Sequence, residues 1–190
     1  MKKVIIVTGG IASGKSFILE VMDQRGYPTM KSDKVAKDIM AESFFIDEMK
    51  SILGKESFNL KEEIEKDPRV LDIVEKLVYP EIEPIRRKFI EEVHGKNLVP
   101  VIEIPLFFEK NIGDTLHGYQ LKVIGLVCGI DIQVSRAKDR EKPLSDNLFN
   151  LIISRQLTDK ERVARSNFVI YTNFEKSVVK KQLMEILKDI

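Results

Sequence analysis

The chain has 190 residues, 43% hydrophobic and 32% charged, a balance that suits one packed core, with room for a subdomain, rather than a disordered protein. Lys and Arg total 31 against 30 Asp and Glu, a formal net charge of +1, so the overall field gives no sign of a nucleic-acid partner. The single cysteine, Cys128, cannot form an internal disulfide, no apolar run approaches the roughly 18 residues of a membrane span, and the N-terminal apolar run is too short for a signal peptide; the expectation is a cytoplasmic chain with no membrane contact, a monomer or a small homo-oligomer.

The first apolar run, KVIIVTG (3–9), reads as a strand covered on both faces. It runs into Gly9-Gly10-Ile11-Ala12-Ser13-Gly14-Lys15-Ser16, which fits G-x-x-x-x-G-K-[ST]. Glycines let such a loop turn tightly and aim backbone N–H groups at one spot, and the following helix adds its positive end. The Lys15 ammonium would meet the β- and γ-phosphates of a nucleoside triphosphate, and the Ser16 hydroxyl would complete the coordination of Mg²⁺. Phe17, Ile18, Val21 and Met22 continue at helical spacing, and Gly26 before Pro28 marks the stop.

A second strand, YPTMKS (27–32), leads to Asp33. Strands of an open parallel sheet end at one common edge, where ligands sit, so Asp33 reads as the base that takes a proton from an attacking hydroxyl; the plainer reading is a helix N-cap for KVAKDIM. Residues 35–95 hold no convincing strand. IDEMKSIL, DIVEKLV and the run from Glu81 to Val93 each read as an amphipathic helix of a helical insert.

Further strands follow at LVPVIEI (98–104), LKVIGLVC (121–128) and NFVIYTN (167–173). Glu103 ends the third of the five, either near a metal or paired with a lysine. Phe107 and Phe108 suit core or pocket, Cys128 a buried position, and His94 and His117 exposed or structural ones. Residues 131–165 are helical and basic; RAKDREK sets Arg136 and Arg140 four residues apart on one helix face. In a lid, such arginines neutralise charge on a transferred phosphoryl group, and Arg140 is the foremost candidate. The expected architecture is an α/β fold, a parallel sheet of about five strands flanked by helices, with one domain made of a nucleotide core (1–34, 96–130 and 166–190), the insert (35–95) and the lid (131–165).

These stretches resemble the dephospho-coenzyme A kinase family. VTGGIASGKS is similar to that family's TGGIGSGKS, with Ala12 for a glycine, and SDKVAKDI to its DAD-x-[IV]-A-[RK] segment, with Asp33 on the base. LVYPEI resembles a Leu-x-His-Pro-x-Ile element, with Tyr79 for the histidine, and IPLFFEKN resembles V-P-L-L-F-E-x. Gln133, Arg136 and Arg140 fall on a Q-x-x-R-x-x-x-R pattern, and Gln156, Arg162 and Asn173 on matching positions of a region ending A-D-x-V-I-x-N, where Ser166-Asn167 replace Ala-Asp and Phe174 replaces a glycine.

The resemblance implies a P-loop kinase that phosphorylates the ribose 3′-hydroxyl of dephospho-coenzyme A with ATP and Mg²⁺, the final step of coenzyme A synthesis. It places ATP on Gly10, Ile11, Ala12, Ser13, Gly14, Lys15, Ser16, Phe17, Arg140 and Asn173, and the acceptor on Asp33, Tyr79, Pro80, Leu106, Phe108 and Glu109. The alternative is another small P-loop kinase, acting on a nucleoside monophosphate or similar metabolite. A guanine-reading Asn-Lys-x-Asp and a transporter-type Ser-Gly-Gly-Gln are both absent, which argues against a GTP switch or a transport engine.

Overall fold

A computed structural model describes residues 1–139 and 144–190; Arg140 therefore lies outside the described residues. Five strands, β1 (Lys3–Gly9), β2 (Thr29–Lys31), β3 (Val101–Glu103), β4 (Gln120–Val127) and β5 (Phe168–Tyr171), form one sheet in the order β2-β3-β1-β4-β5. Every neighbouring pair is parallel, as expected. β2 and β3 are shorter than the apolar runs around them. Proline has no N–H, and Pro28 and Pro100 serve only as acceptors, from Val101 N and Ile5 N at 3.0 Å each.

The strand period of two explains the layering. Ile5 and Val7 of β1 enter one core with helices α1 (Lys15–Asp23) and α9 (Lys176–Ile186), while Val4 and Ile6 enter the other. All four are fully buried, as parallel strands covered on both faces must be. Gly26, at φ +85°, ends α1: its N–H bonds Asp23 O at 2.9 Å and the Tyr27 N–H bonds Met22 O at 3.2 Å, a turn that L side chains adopt with strain.

After β2 the chain forms α2 (Ser32–Met40), α3 (Ser43–Leu53), α4 (Leu60–Lys66) and α5 (Arg69–Gly95), which share a third apolar cluster. The separate helices expected around residues 72–93 are one helix of 27 residues, continuous through Pro80 and Pro84. Each proline deprives a carbonyl one turn earlier of its partner. Both prolines are exposed, on a side of the helix that solvent reaches, while Val74, Val78, Ile82, Arg86, Ile90 and Val93 keep one buried face in register.

Beyond β4 come α6 (Ile130–Lys138), α7 (Asp146–Ser154) and α8 (Asp159–Arg165). Ser145 caps α7, and Thr158 with Glu161 forms a reciprocal capping box on α8. Among the described residues no helix is long and apolar enough to cross a membrane.

Candidate active site

β1 delivers Gly9 to the sheet edge, and the chain turns through residues 10–14 before α1 begins at Lys15. A Cβ on Gly9 would lie 2.5 Å from Ser13 Oγ and 2.9 Å from Leu126 Cβ, so only glycine lets the loop close on the sheet. Gly14 holds φ +93°. Ala12 also sits in the left-handed region, at φ 57°, so the alanine keeps the turn its glycine counterpart would make and carries the strain of a Cβ there. The first amides of α1 have no carbonyl one turn back and face the loop's concave side with the positive helix end.

The loop is braced from three elements. Gln156, between α7 and α8, accepts from Ile11 N at 2.9 Å. Thr172, after β5, donates its hydroxyl to Ser13 O at 2.7 Å. Arg136 of α6 reaches Ala12 O and Thr172 Oγ1, each at 3.4 Å, and hydrogen-bonds Thr172 O. Lys15 is buried, with Nζ donating to Gly9 O and Gly10 O at 3.0 Å each.

Two carboxyls meet these cations. A cleft of about 220 Å³ is lined by residues 12–16 together with Asp33, Glu103 and Arg136. Asp33 is exposed in the first turn of α2; the N-cap of that helix is Lys31, with no side-chain cap bond, so the capping alternative for Asp33 does not apply. Glu103, only 3% exposed at the end of β3, has its pKa raised by burial and then by the Asp33 charge, against the pull of Lys15.

Asp33 also lines two further clefts. One, about 340 Å³, passes Lys37, Leu106, Ile152, Arg155 and Gln156; the other, about 110 Å³, passes Tyr79, Ile82, Arg86, Leu106 and Lys110. One carboxylate therefore stands where the phosphate loop, α2, α5 and the segment after β3 converge, an arrangement suited to accepting a proton beside bound phosphates.

Lys15, Ser16, Asp33, Tyr79 and Leu106, all singled out in the sequence, line these clefts. Others do not. Glu109 turns away: its Oε1 accepts from Leu157 N at 2.8 Å and lies 3.8 Å from Arg162, which is 1% exposed. Phe108 packs edge-on against Phe107 at 5.1 Å, Pro80 is exposed, and Asn173 is exposed just past β5; none of these four lines the clefts described. Burial pushes the Tyr79 phenol far above its usual range, and Lys110 lies 5.7 Å from its ring. Asn167 accepts from Val123 N at 2.8 Å and donates its own N–H to Val123 O at 3.0 Å, which ties β5 to β4.

Sequence reasoning missed Arg86 altogether. It repeats four residues after Ile82 and eight after Val78, so a charged residue at a buried position of the helical period was the available signal. Arg155 pairs with Asp72 and Glu75 while lining the second cleft.

A family model for dephospho-CoA kinase matches residues 3–177. A dephospho-CoA kinase of Fusobacterium nucleatum is 27% identical over 179 residues, covering 90% of this chain and 89% of that one. One from Campylobacter jejuni is 28% identical over 208 residues, covering 99% and 98%. Among solved structures, TT1252 from Thermus thermophilus superposes with a TM-score of 0.73 at 25% identity, covering 100% of this chain and 99% of that one. The dephospho-CoA kinase from Campylobacter jejuni gives 0.68 at 23% identity (100% and 97%) and the shikimate kinase from Bacteroides thetaiotaomicron 0.56 at 13% (98% each); at those identities the likeness is one of fold. With the match extending from β1 to the start of α9, the chain belongs to the dephospho-CoA kinase family.

Proposed function

We propose that this chain transfers the γ-phosphoryl group of ATP to the 3′-hydroxyl of dephospho-coenzyme A, giving coenzyme A and ADP. Asp33 carries the reading, because it lines the cleft of the phosphate loop and both clefts beside it. ATP phosphates rest on the amides of residues 10–16 and the N-terminus of α1. Lys15 and Arg136 face the same cleft and offset negative charge on the transferred group, with Arg140 as a further cation from the lid.

The acceptor enters between the helices of 35–95 and the sheet edge. Asp33 takes the proton of its 3′-hydroxyl as that oxygen bonds the γ-phosphorus and the bond to the β–γ bridging oxygen breaks. The proton then passes from Asp33 to solvent. Helices of 131–165 close over the loop and limit hydrolysis by water.

The oxygen donors present suit Mg²⁺. Ser16, Asp33 and Glu103 line one cleft, and among the described residues no group of three or more His, Cys, Asp or Glu forms a metal cage; Mg²⁺ commonly keeps phosphate and water ligands. Ser16 and, through water, Glu103 would hold the ion, which supplies charge neutralisation at the phosphates.

The test is a coupled ADP-release assay offering dephospho-coenzyme A, AMP, CMP and shikimate as acceptors. Turnover is expected with dephospho-coenzyme A, and Asp33→Asn should lower kcat by about 10²- to 10⁴-fold while retaining ATP binding. Phosphorylation of a nucleoside monophosphate alone would overturn the reading, and a near-normal Asp33→Asn rate would remove Asp33 from the base role.

A further inference from the structure

Among the described residues Arg86 is a buried cation that forms no ion pair, with only the charge of Glu83 acting in its favour beside the aromatic Tyr79. It sits on the apolar face of α5 and is 4% exposed. Its Nε has no hydrogen-bond partner, and among the described residues no ion pair serves it. The nearest acid on the helix, Glu83, is engaged by Arg87 through two hydrogen bonds of 3.1 and 3.0 Å. The other deeply buried arginine, Arg162, also has Nε and Nη1 without partners, but its remaining nitrogen donates to Leu157 O at 3.0 Å and lies 3.8 Å from Glu109. Removing a guanidinium from water without compensation is unfavourable, so Arg86 needs an anion from elsewhere.

The anion has a place to enter. Arg86 lines the cleft of about 110 Å³ that also carries Asp33 and Ser32. Ser32, 7% exposed, is a second buried polar group there, and its Oγ likewise has no partner. The other cation of the cleft, Lys110, is bound to Glu75, and the Tyr79 phenol is held neutral by burial. Among the described residues Asp33 is the one acidic side chain lining the cleft.

We propose that Arg86, together with the Ser32 hydroxyl, forms an anion subsite that reads the 5′-diphosphate of the acceptor nucleotide. The assignment rests on the reaction proposed above. When the 3′-hydroxyl meets Asp33, a single ribose ring separates it from the 5′-phosphorus, and the cleft beside Asp33 receives that group. The planar guanidinium fork matches two phosphate oxygens at once, and the Ser32 hydroxyl donates to a third. ATP phosphates are served by the loop, so Arg86 selects the acceptor and not the donor. Acceptors lacking a 5′-diphosphate leave the cation unpaired and are discriminated against on that ground.

Steady-state kinetics on the full chain test this. Arg86→Met, which keeps an apolar stem on the buried face, should raise KM for dephospho-coenzyme A by about 10- to 100-fold and leave KM for ATP within about twofold. Arg86→Lys should recover part of the loss, and Ser32→Ala should raise the same KM by a few fold. If Arg86→Met does not fold, as read by circular dichroism, the Lys and Ala variants decide by the same split. An unchanged acceptor KM, or equal rises in both KM values with a lowered Tm, overturns the assignment. A wild-type enzyme inert towards dephospho-coenzyme A overturns the functional reading and this one with it; an active wild type whose Arg86→Met variant keeps its acceptor KM overturns this one alone.

Discussion

Asp33, from the first turn of α2, and Glu103, from the end of β3, are two carboxyls on one cleft, and the charge of the exposed one adds to burial in raising the pKa of the buried one. Burial is the larger cause and the Asp33 charge the second. The folded state therefore binds a proton at Glu103 that the unfolded chain releases at the ordinary carboxylate value.

That difference sets a pH dependence. Because the folded pKa is raised, the associated stability is fully present below the ordinary carboxylate value of 4.5 and is lost as pH rises from there through the raised folded value. Glu103→Gln should remove this slope, and urea unfolding across that window should show wild type losing stability with pH while the variant stays flatter. Equal slopes would show that Glu103 titrates alike in both states.

Ala12 holds a left-handed backbone at φ 57°. A left-handed L-residue is strained by about 1–2 kcal/mol, and glycine returns part of that through greater freedom in the unfolded chain. Ala12→Gly should therefore stabilise the protein by about 0.5–1 kcal/mol in urea denaturation. Loss of stability would mean that the loop does not adopt this turn in solution.

Glu109 joins the segment after β3 to Leu157 and Arg162. Its removal leaves Arg162 buried with its carboxylate gone, a change that costs about 3 kcal/mol or more. Glu109→Ala should lower Tm markedly, and Glu109→Ala combined with Arg162→Met should lose less than Glu109→Ala alone. A Glu109→Ala protein of native stability with a raised acceptor KM would instead return Glu109 to the substrate side.

Local chemistry made much of this protein legible in its amino-acid order. The run of Val4, Ile5, Ile6 and Val7 into Gly9-Gly10, with Gly14-Lys15-Ser16 behind it, specifies strand, turn and helix through sterics and burial acting within a few residues. The same holds for Asp33 after β2 and for the stop at Gly26.

What lay beyond reach depended on partners distant in the chain. DIVEKLV and the run from Glu81 to Val93 each read as a helix of its own, but the buried face from Val74 to Val93 keeps α5 whole through Pro80 and Pro84, because packing outweighs two lost backbone bonds on a wet surface. Glu109 lies in a stretch whose resemblance pointed to substrate, and only its meeting with Leu157 and Arg162, 48 and 53 positions later, reveals a brace. Arg86 shows in the sequence only as a charge on the apolar period of α5, and what it could serve appears when folding brings Ser32 and Asp33 to its cleft. Side-chain identity decides what a residue can donate or accept, whereas the electric environment that gives the donor a purpose arises only when separate segments shut out water together.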